Sequence, residues 1–166
     1  MSTVRVSTAT YTATHVANHM LRGLKSIIAG SGLDTKKIVS QWGILEHGVA
    51  VWLKSGHLSK LILEVWAEGN SARLIGRFDF TIDYVYGSDG EGDLWLDSAA
   101  VAWIIKKHGL YPANCSYRIV ADTSDGAPAV DGWSTTRLVS TSGLTQHSIG
   151  AVVGGGTVGA TLSYWR

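Results

Sequence analysis

Seven consecutive apolar residues, Ala99-Ala100-Val101-Ala102-Trp103-Ile104-Ile105, lie between strong helix-ending signals, and this run limits what the chain can fold into. Asp97 and Ser98 supply N-cap oxygens, while Lys106, Lys107 and His108 put positive charge in the last turn. Gly109 can close the end, and Pro112 forbids continuation. A helix that is apolar all the way round is buried on most sides. The spacing therefore predicts a central helix over 97–108, with a sheet on one side and other helices around it. A chain of 166 residues suits one domain built on one core.

The segments before that helix switch period once. Residues 3–12 alternate Val4, Val6, Thr8 and Thr10 with small or polar residues, as an edge strand or an arm would. From Thr14, Val16, Met20, Leu24, Ile27 and Ile28 recur at helical spacing until Gly30-Ser31-Gly32. Asp34 then caps a second helix with the stripe Ile38, Trp42, Leu45, Val49, Trp52 and Leu53, ended by Gly56. Gly43 and Gly48 interrupt that helix, as glycines do where a neighbour packs closely. Strand periodicity follows. Leu61, Leu63, Val65 and Ala67 oppose Lys60, Glu64 and Glu68. Leu74, Phe78, Phe80, Ile82, Tyr84 and Tyr86 oppose Arg73, Arg77, Asp79, Thr81 and Asp83. This is an antiparallel hairpin, dry on one face and wet on the other, joined to the central helix by a polar turn from Gly87 to Asp93.

After the helix, Tyr117, Ile119 and Ala121 mark a strand. Residues 123–166 then carry eight glycines and four charges, Asp125, Asp131, Arg137 and Arg166. Strand-like pieces remain at Thr135–Ser140 and Thr157–Arg166, with weakly specified register. The hairpin and the 97–108 helix are expected to hold most of the core, so a chain cut after Asp131 should stay soluble.

Most chemistry can be set aside. Net charge is +1 and no Lys/Arg run exceeds two, which argues against nucleic-acid binding by charge. The single Cys115 permits no internal disulfide and fits a reducing, cytoplasmic setting. Neither an export signal nor an apolar stretch of ~18 residues is present. Gly154 to Gly159 spells GxGxxG, but seven residues follow it, too few for the helix a dinucleotide site needs. Counting an EF-hand from Asp89 puts Leu94 and Ala100 where Gly and Glu belong. His15 and His19 are one turn apart without a third ligand, and nothing local makes Cys115 a nucleophile. No catalytic residue, metal or cofactor is assigned. Seven Trp invite a glycan-binding reading, but Trp42, Trp52 and Trp103 fall on faces expected to be buried; a glycan- or small-ligand-binding α+β domain using exposed Trp, or a small enzyme, stands as the alternative.

The order of parts carries more than any motif. DYVYGSDGEGDLWLD (83–97), AWIIKKHGLYPANCSYRI (102–119), DGWSTTRLVSTSGLTQHSIG (131–150) and the terminal SYWR (163–166) stand in a sequence of elements that resembles a HORMA domain. The likeness is to the bacterial HORMA proteins of CBASS anti-phage operons, and it runs over nearly the whole chain. It implies an α+β fold: an antiparallel sheet, a buried central helix, two further helices and a C-terminal safety belt. One domain would span 1–166, with its core at about 1–122 and the belt at about 123–166.

In that family the belt wraps a closure peptide from a partner. The closed form then binds and activates a cGAS-like nucleotidyltransferase (CD-NTase), and an AAA+ ATPase remodeller reopens it. The resemblance places peptide pairing on Ser116, Tyr117, Arg118, Ile119, Val120, Ala121 and Asp122, with Trp103 and Ile104 beneath. The belt, from roughly Gly132, would be held by Trp133, Leu138, Tyr164 and Trp165. The N-terminal segment with Val4 and Val6 would be the remodeller's handle. The ending in YWR favours a capturing member over one that offers a closure motif. The implied role is a non-enzymatic, cytoplasmic signalling switch in antiviral defence.

Overall fold

The computed structural model describes the backbone of residues 2–84, 95–155 and 158–166, with side chains described from Thr12 onward. The expected Gly87–Asp93 turn, Tyr86 and the side chains of Val4 and Val6 lie outside the described residues. Helix α1 (Ser2–Gly30) covers both the expected helix and the stretch read as strand or arm. Extending a nucleated helix adds one hydrogen bond per residue fixed, which outweighs the alternation of Val4, Val6, Thr8 and Thr10. Ala13, Val16, Ala17, Met20, Leu21, Leu24, Ile27 and Ile28 form its buried stripe. The central helix of the fold is therefore α1.

The second expected helix is broken at Gln41 into α2 (Lys36–Ser40) and α3 (Trp42–Ser55), and Gly56 caps α3 at φ 76°. Strands β1 (Leu58–Ala67) and β2 (Gly76–Tyr84) form the expected hairpin. A short β3 (Trp95–Leu96) leads into α4 (Ser98–His108), whose first turn is capped by Asp97 Oδ1 accepting from Ala100 N at 2.9 Å. Strand β4 (Cys115–Thr123), a long irregular connection, β5 (Gln146–Gly155) and β6 (Val158–Trp165) complete the chain. All pairings in the six-stranded sheet are antiparallel, in the order β3-β5-β6-β2-β1-β4.

Helices cover one face of the sheet. Helix α1 packs on β5 and β6, α3 on β1, and α4 on α1 and β5. A Cβ on Gly30 of α1 would lie 2.4 Å from Ile105, which shows how closely α4 sits against α1. Helix α4 buries Val101, Ile104 and His108, a single stripe at helical spacing. Trp103 is 53% exposed on the other side, under the Lys107 ammonium at 5.8 Å. This corrects the expectation of an all-round buried helix: three alanines tolerate exposure, so the apolar run overstated the buried face. The hairpin's second face is not simply wet either. Glu64 is 0% and Asp79 1% exposed there. Asp79 is paired with Arg77 at 2.6 Å and lies 3.8 Å from Lys60.

The C-terminal region departs most from expectation. Thr135–Ser140 forms no strand, while Gln146–Gly155 does, despite its glycines. Strand β6 pairs with β2 from Arg77↔Trp165 to Tyr84↔Val158, so the last hairpin occupies the middle of the sheet. Val152, Val153, Val158, Ala160, Leu162 and Tyr164 are buried in the core. The solubility expected of a chain cut after Asp131 therefore does not follow from this fold. Among the described residues, no helix is long and apolar enough to cross a membrane.

Candidate functional site

Strand β4 is the last in the sheet order, with one edge unclaimed by any strand among the described residues. Its backbone directions follow from its neighbour. Ile75 N donates to Val65 O at 2.9 Å, which turns the Val65 carbonyl toward β2. Backbone direction alternates along a strand, so Leu61, Leu63 and Val65 address β2, while Ile62 and Glu64 address β4. Their antiparallel partners are Ala121, Ile119 and Tyr117 opposite the first set, and Val120 and Arg118 opposite the second. The N–H and C=O groups of Tyr117, Ile119 and Ala121 therefore point outward from the sheet.

The Tyr117 carbonyl is already taken. Lys37 Nζ donates to it at 2.8 Å and stands 5.7 Å from the Tyr117 ring centroid. Burial, and secondarily the Arg118 charge, hold the Lys37 ammonium below the usual lysine range. The Tyr117 hydroxyl donates to Asp34 O at 2.6 Å, and burial raises its pKa. This end of the edge is closed off by α2.

The connection after β4 passes around the remaining edge. Ser124 N is tied to His57 O at 2.8 Å, and Pro128 O accepts from Trp52 Nε1 at 2.8 Å. Trp133 then docks on α3. Its Nε1 donates to Ile44 O at 3.1 Å, and its ring meets Trp52 edge-on with centroids 4.9 Å apart. Gly48 makes this possible, since a Cβ there would stand 2.2 Å from Trp133 Nε1. Up to this point the chain is on the helical side.

Between Thr136 and Val139 it is on the other. Leu61, Leu63 and Val65 belong to the helix-side core, so the alternating Glu64 projects from the opposite face. Glu64 Oε2 accepts from Val139 N at 2.8 Å, and Oε1 accepts from Arg118 Nε at 2.6 Å. Arg118 in turn donates to Thr136 Oγ1 at 2.8 Å and to the Arg137 carbonyl at 2.6 Å. The chain thus bends around the β4 edge and leaves a slot of about 370 Å³ between edge and loop. Trp52, Ile119 to Thr123, Ala129, Val130 and Trp133 to Thr136 line it. Its walls are apolar or hydroxylic, and Asp122 is the one charge among the described lining residues.

The structure sorts the residues named from sequence. Ile119, Val120, Ala121, Asp122 and Trp133 meet at the slot. Ser116, Tyr117 and Arg118 lie on β4 but outside the slot lining, and Leu138 is exposed on the loop. Trp103 and Ile104 are not beneath β4: α4 packs on β5, which three strands (β6, β2 and β1) separate from β4. Tyr164 and Trp165 lie on β6, also away from the slot. Tyr164 is buried beside His147, His108 and Phe78, with centroids at 4.8, 5.7 and 6.0 Å. The Arg77 guanidinium lies 5.8 Å from the Trp165 ring centroid.

Sequence reasoning missed Trp52 as a slot wall, and missed Lys37, Glu64, Ala129 and Val130. Trp52 looked like ordinary core because it sits on the buried stripe. The others act through contacts across long sequence separations. Among the described residues, no group of three His, Cys, Asp or Glu side chains converges as metal ligands.

Comparison with known proteins shows the family and the fold. The family described as Bacterial HORMA domain 2 matches residues 1–166. No curated protein matches. Among solved structures, a chain of the mitotic checkpoint complex aligns with TM-score 0.72 at 13% identity, covering 95% of this chain and 96% of that one. C. elegans HTP-1 bound to the HIM-3 closure motif aligns with TM-score 0.70 at 11% identity, over 91% and 88%. The E. coli MS115-1 HORMA:CdnC:Trip13 complex contains a chain aligning with TM-score 0.57 at 13% identity, over 95% and 89%. At such identities these neighbours show the fold.

Proposed function

We propose that this chain, which belongs to the bacterial HORMA domain family, captures an extended peptide at the β4 edge and uses the wrapped state as a signal. One observation carries the reading: the chain after β4 passes around an edge whose Ile119 and Ala121 backbone groups face a slot. An added strand would pair with those groups, and the slot walls would read its side chains. Because the slot is lined on β4 by Ile119–Thr123 and Lys37 crowds the edge at the Tyr117 carbonyl, pairing would centre on Ile119–Thr123, about 16 Å of strand. That is narrower than the 116–122 span expected from resemblance. Trp52 and Trp133 would receive an apolar side chain.

The wrapped form would bind and activate a cGAS-like nucleotidyltransferase, and an AAA+ ATPase would reopen it, in cytoplasmic anti-phage signalling. Two things support this. One is the resemblance to HORMA proteins of CBASS operons. The other is the likeness to a HORMA chain that is itself found with CdnC and Trip13. The N-terminal segment carrying Val4 and Val6 begins α1, and α1 packs directly on β5 and β6. Traction on that segment would loosen the hairpin that ends the belt. The reading gives the chain no catalytic step of its own.

The test uses the full chain and peptides tiled from the proteins encoded beside it. Amide exchange is followed by mass spectrometry with and without each peptide. A binding peptide should protect Ile119, Ala121 and residues 129–139 together. A peptide that binds tightly but leaves Ile119 and Ala121 unprotected would overturn the reading.

A further inference from the structure

Residues 134–139 carry the belt from the helical side of the sheet to the other, and they belong to no helix or strand. Among the described residues, three hydrogen bonds tie this stretch to the rest of the chain: Arg118 Nη1 to Thr136 Oγ1, Arg118 Nη2 to Arg137 O, and Val139 N to Glu64 Oε2. All three end on one ion pair. Glu64 and Arg118 are register partners on β1 and β4, joined at 2.6 Å, with the Glu64 side chain fully buried. A buried carboxylate needs its acceptor sites filled, and here the belt supplies one of the donors. Opening the belt would strip that donor from Glu64 and two acceptors from Arg118 at once.

We propose that Glu64 and Arg118 form the clasp that keeps the belt shut, so that this pair sets how long a captured peptide stays bound. The proposal rests on the peptide-capture reading for its consequence, but not for its geometry. The two residues are positioning residues. They sit on the sheet, do not line the slot, and act on the peptide through residues 136–139. Breaking the pair from one side leaves a buried charge uncompensated, which itself destabilises a fold. The experiment therefore needs variants that avoid this.

The full chain is compared with Thr136→Val, which removes one exposed contact isosterically, and with the double variant Glu64→Gln/Arg118→Gln, which removes both charges together. Amide exchange at Val139 without peptide reads the clasp alone. It should rise about 10- to 100-fold in the double variant and less in Thr136→Val, while the β1–β2 amides Leu63 and Phe78 keep their rates. Dissociation of a bound peptide should quicken in the same order, with association little changed. Unchanged Val139 exchange in the double variant sinks the clasp. Faster exchange with unchanged peptide release shows that the pair fastens the belt but does not set residence time, which also overturns the proposal. Protection of Ile119 and Ala121 by peptide in the unaltered chain is the separate check on the underlying reading.

Discussion

Gly48→Ala should pull helix stability and belt docking in opposite directions. Gly48 lies inside α3, where replacing glycine by alanine ordinarily gains about 0.5–1 kcal/mol from reduced chain entropy. The new methyl would stand 2.2 Å from Trp133 Nε1, so the indole has to leave its seat. Displacement removes the hydrogen bond to Ile44 O, worth about 0.5–1.5 kcal/mol, and the edge contact with Trp52, worth a similar amount. Their sum centres on about 2 kcal/mol, or roughly a 30-fold loss of peptide affinity. Set against the helix gain, the net change in folding stability is a loss of about 1 kcal/mol, so the unfolding midpoint should fall, unlike that of Gly43→Ala. Gly43→Ala is the matched control in the same helix, because among the described residues nothing lies within 4 Å of its added Cβ. It should gain stability and bind normally. The assay pairs thermal unfolding with a peptide titration followed by tryptophan fluorescence. Equal affinities for Gly48→Ala and Gly43→Ala would show that Trp133 docking does not hold the slot together.

Trp103→Ala should change stability by under about 0.5 kcal/mol because its ring is exposed, whereas Ile104→Ala should cost about 2–5 kcal/mol; chemical denaturation of both decides. His108, 2% exposed among Phe78, Tyr111 and Tyr164, has its pKa lowered first by burial. Folding therefore favours its neutral form. Its contribution is full above pH 6.5, the unfolded value, and is lost as pH falls through the depressed folded value. The difference in unfolding midpoint between the unaltered chain and His108→Phe should change across that window and flatten above it; a constant difference would refute the assignment. Truncation after Asp131 removes β5 and β6 and bares the β2 edge beside Phe78 and Phe80, so the product should aggregate. A monomeric, cooperatively folding truncation would contradict the sheet order.

What could be read from sequence followed from local periodicity. The buried stripe from Val16 to Ile28, the hairpin carrying Phe78 and Phe80, and the alternation of Val158, Ala160, Leu162 and Tyr164 all stand in the structure, because each repeats within one element. Helix α4 departs from its pattern for a physical reason: alanine is apolar in a pattern but indifferent to exposure in a helix, so the apolar run assigns Trp103 to a core that it does not join. Strand β5 was hidden by Gly150, Gly154 and Gly155, which lower strand propensity and break the alternation. The slot was half legible. Ile119 to Asp122 form a strand with its own pattern. By contrast, Glu64 and Arg118 lie 54 residues apart and meet through strand register, which one sequence does not display.

The pairing of β6 with β2 has one more consequence. The chain from β4 through the belt to β5, closed through β6, β2 and β1 back to β4, makes an unbroken loop of covalent and ladder bonds around the slot. A peptide inside such a loop has no sideways exit. It must slide out lengthwise past whatever follows it, or wait while the eight-residue β2–β6 register comes apart. For a segment tethered to folded domains at both ends the first route is closed by size. Its release then becomes a question of topology rather than of contact strength, and two complexes with equal affinity can differ greatly in lifetime according to what hangs from the peptide's ends.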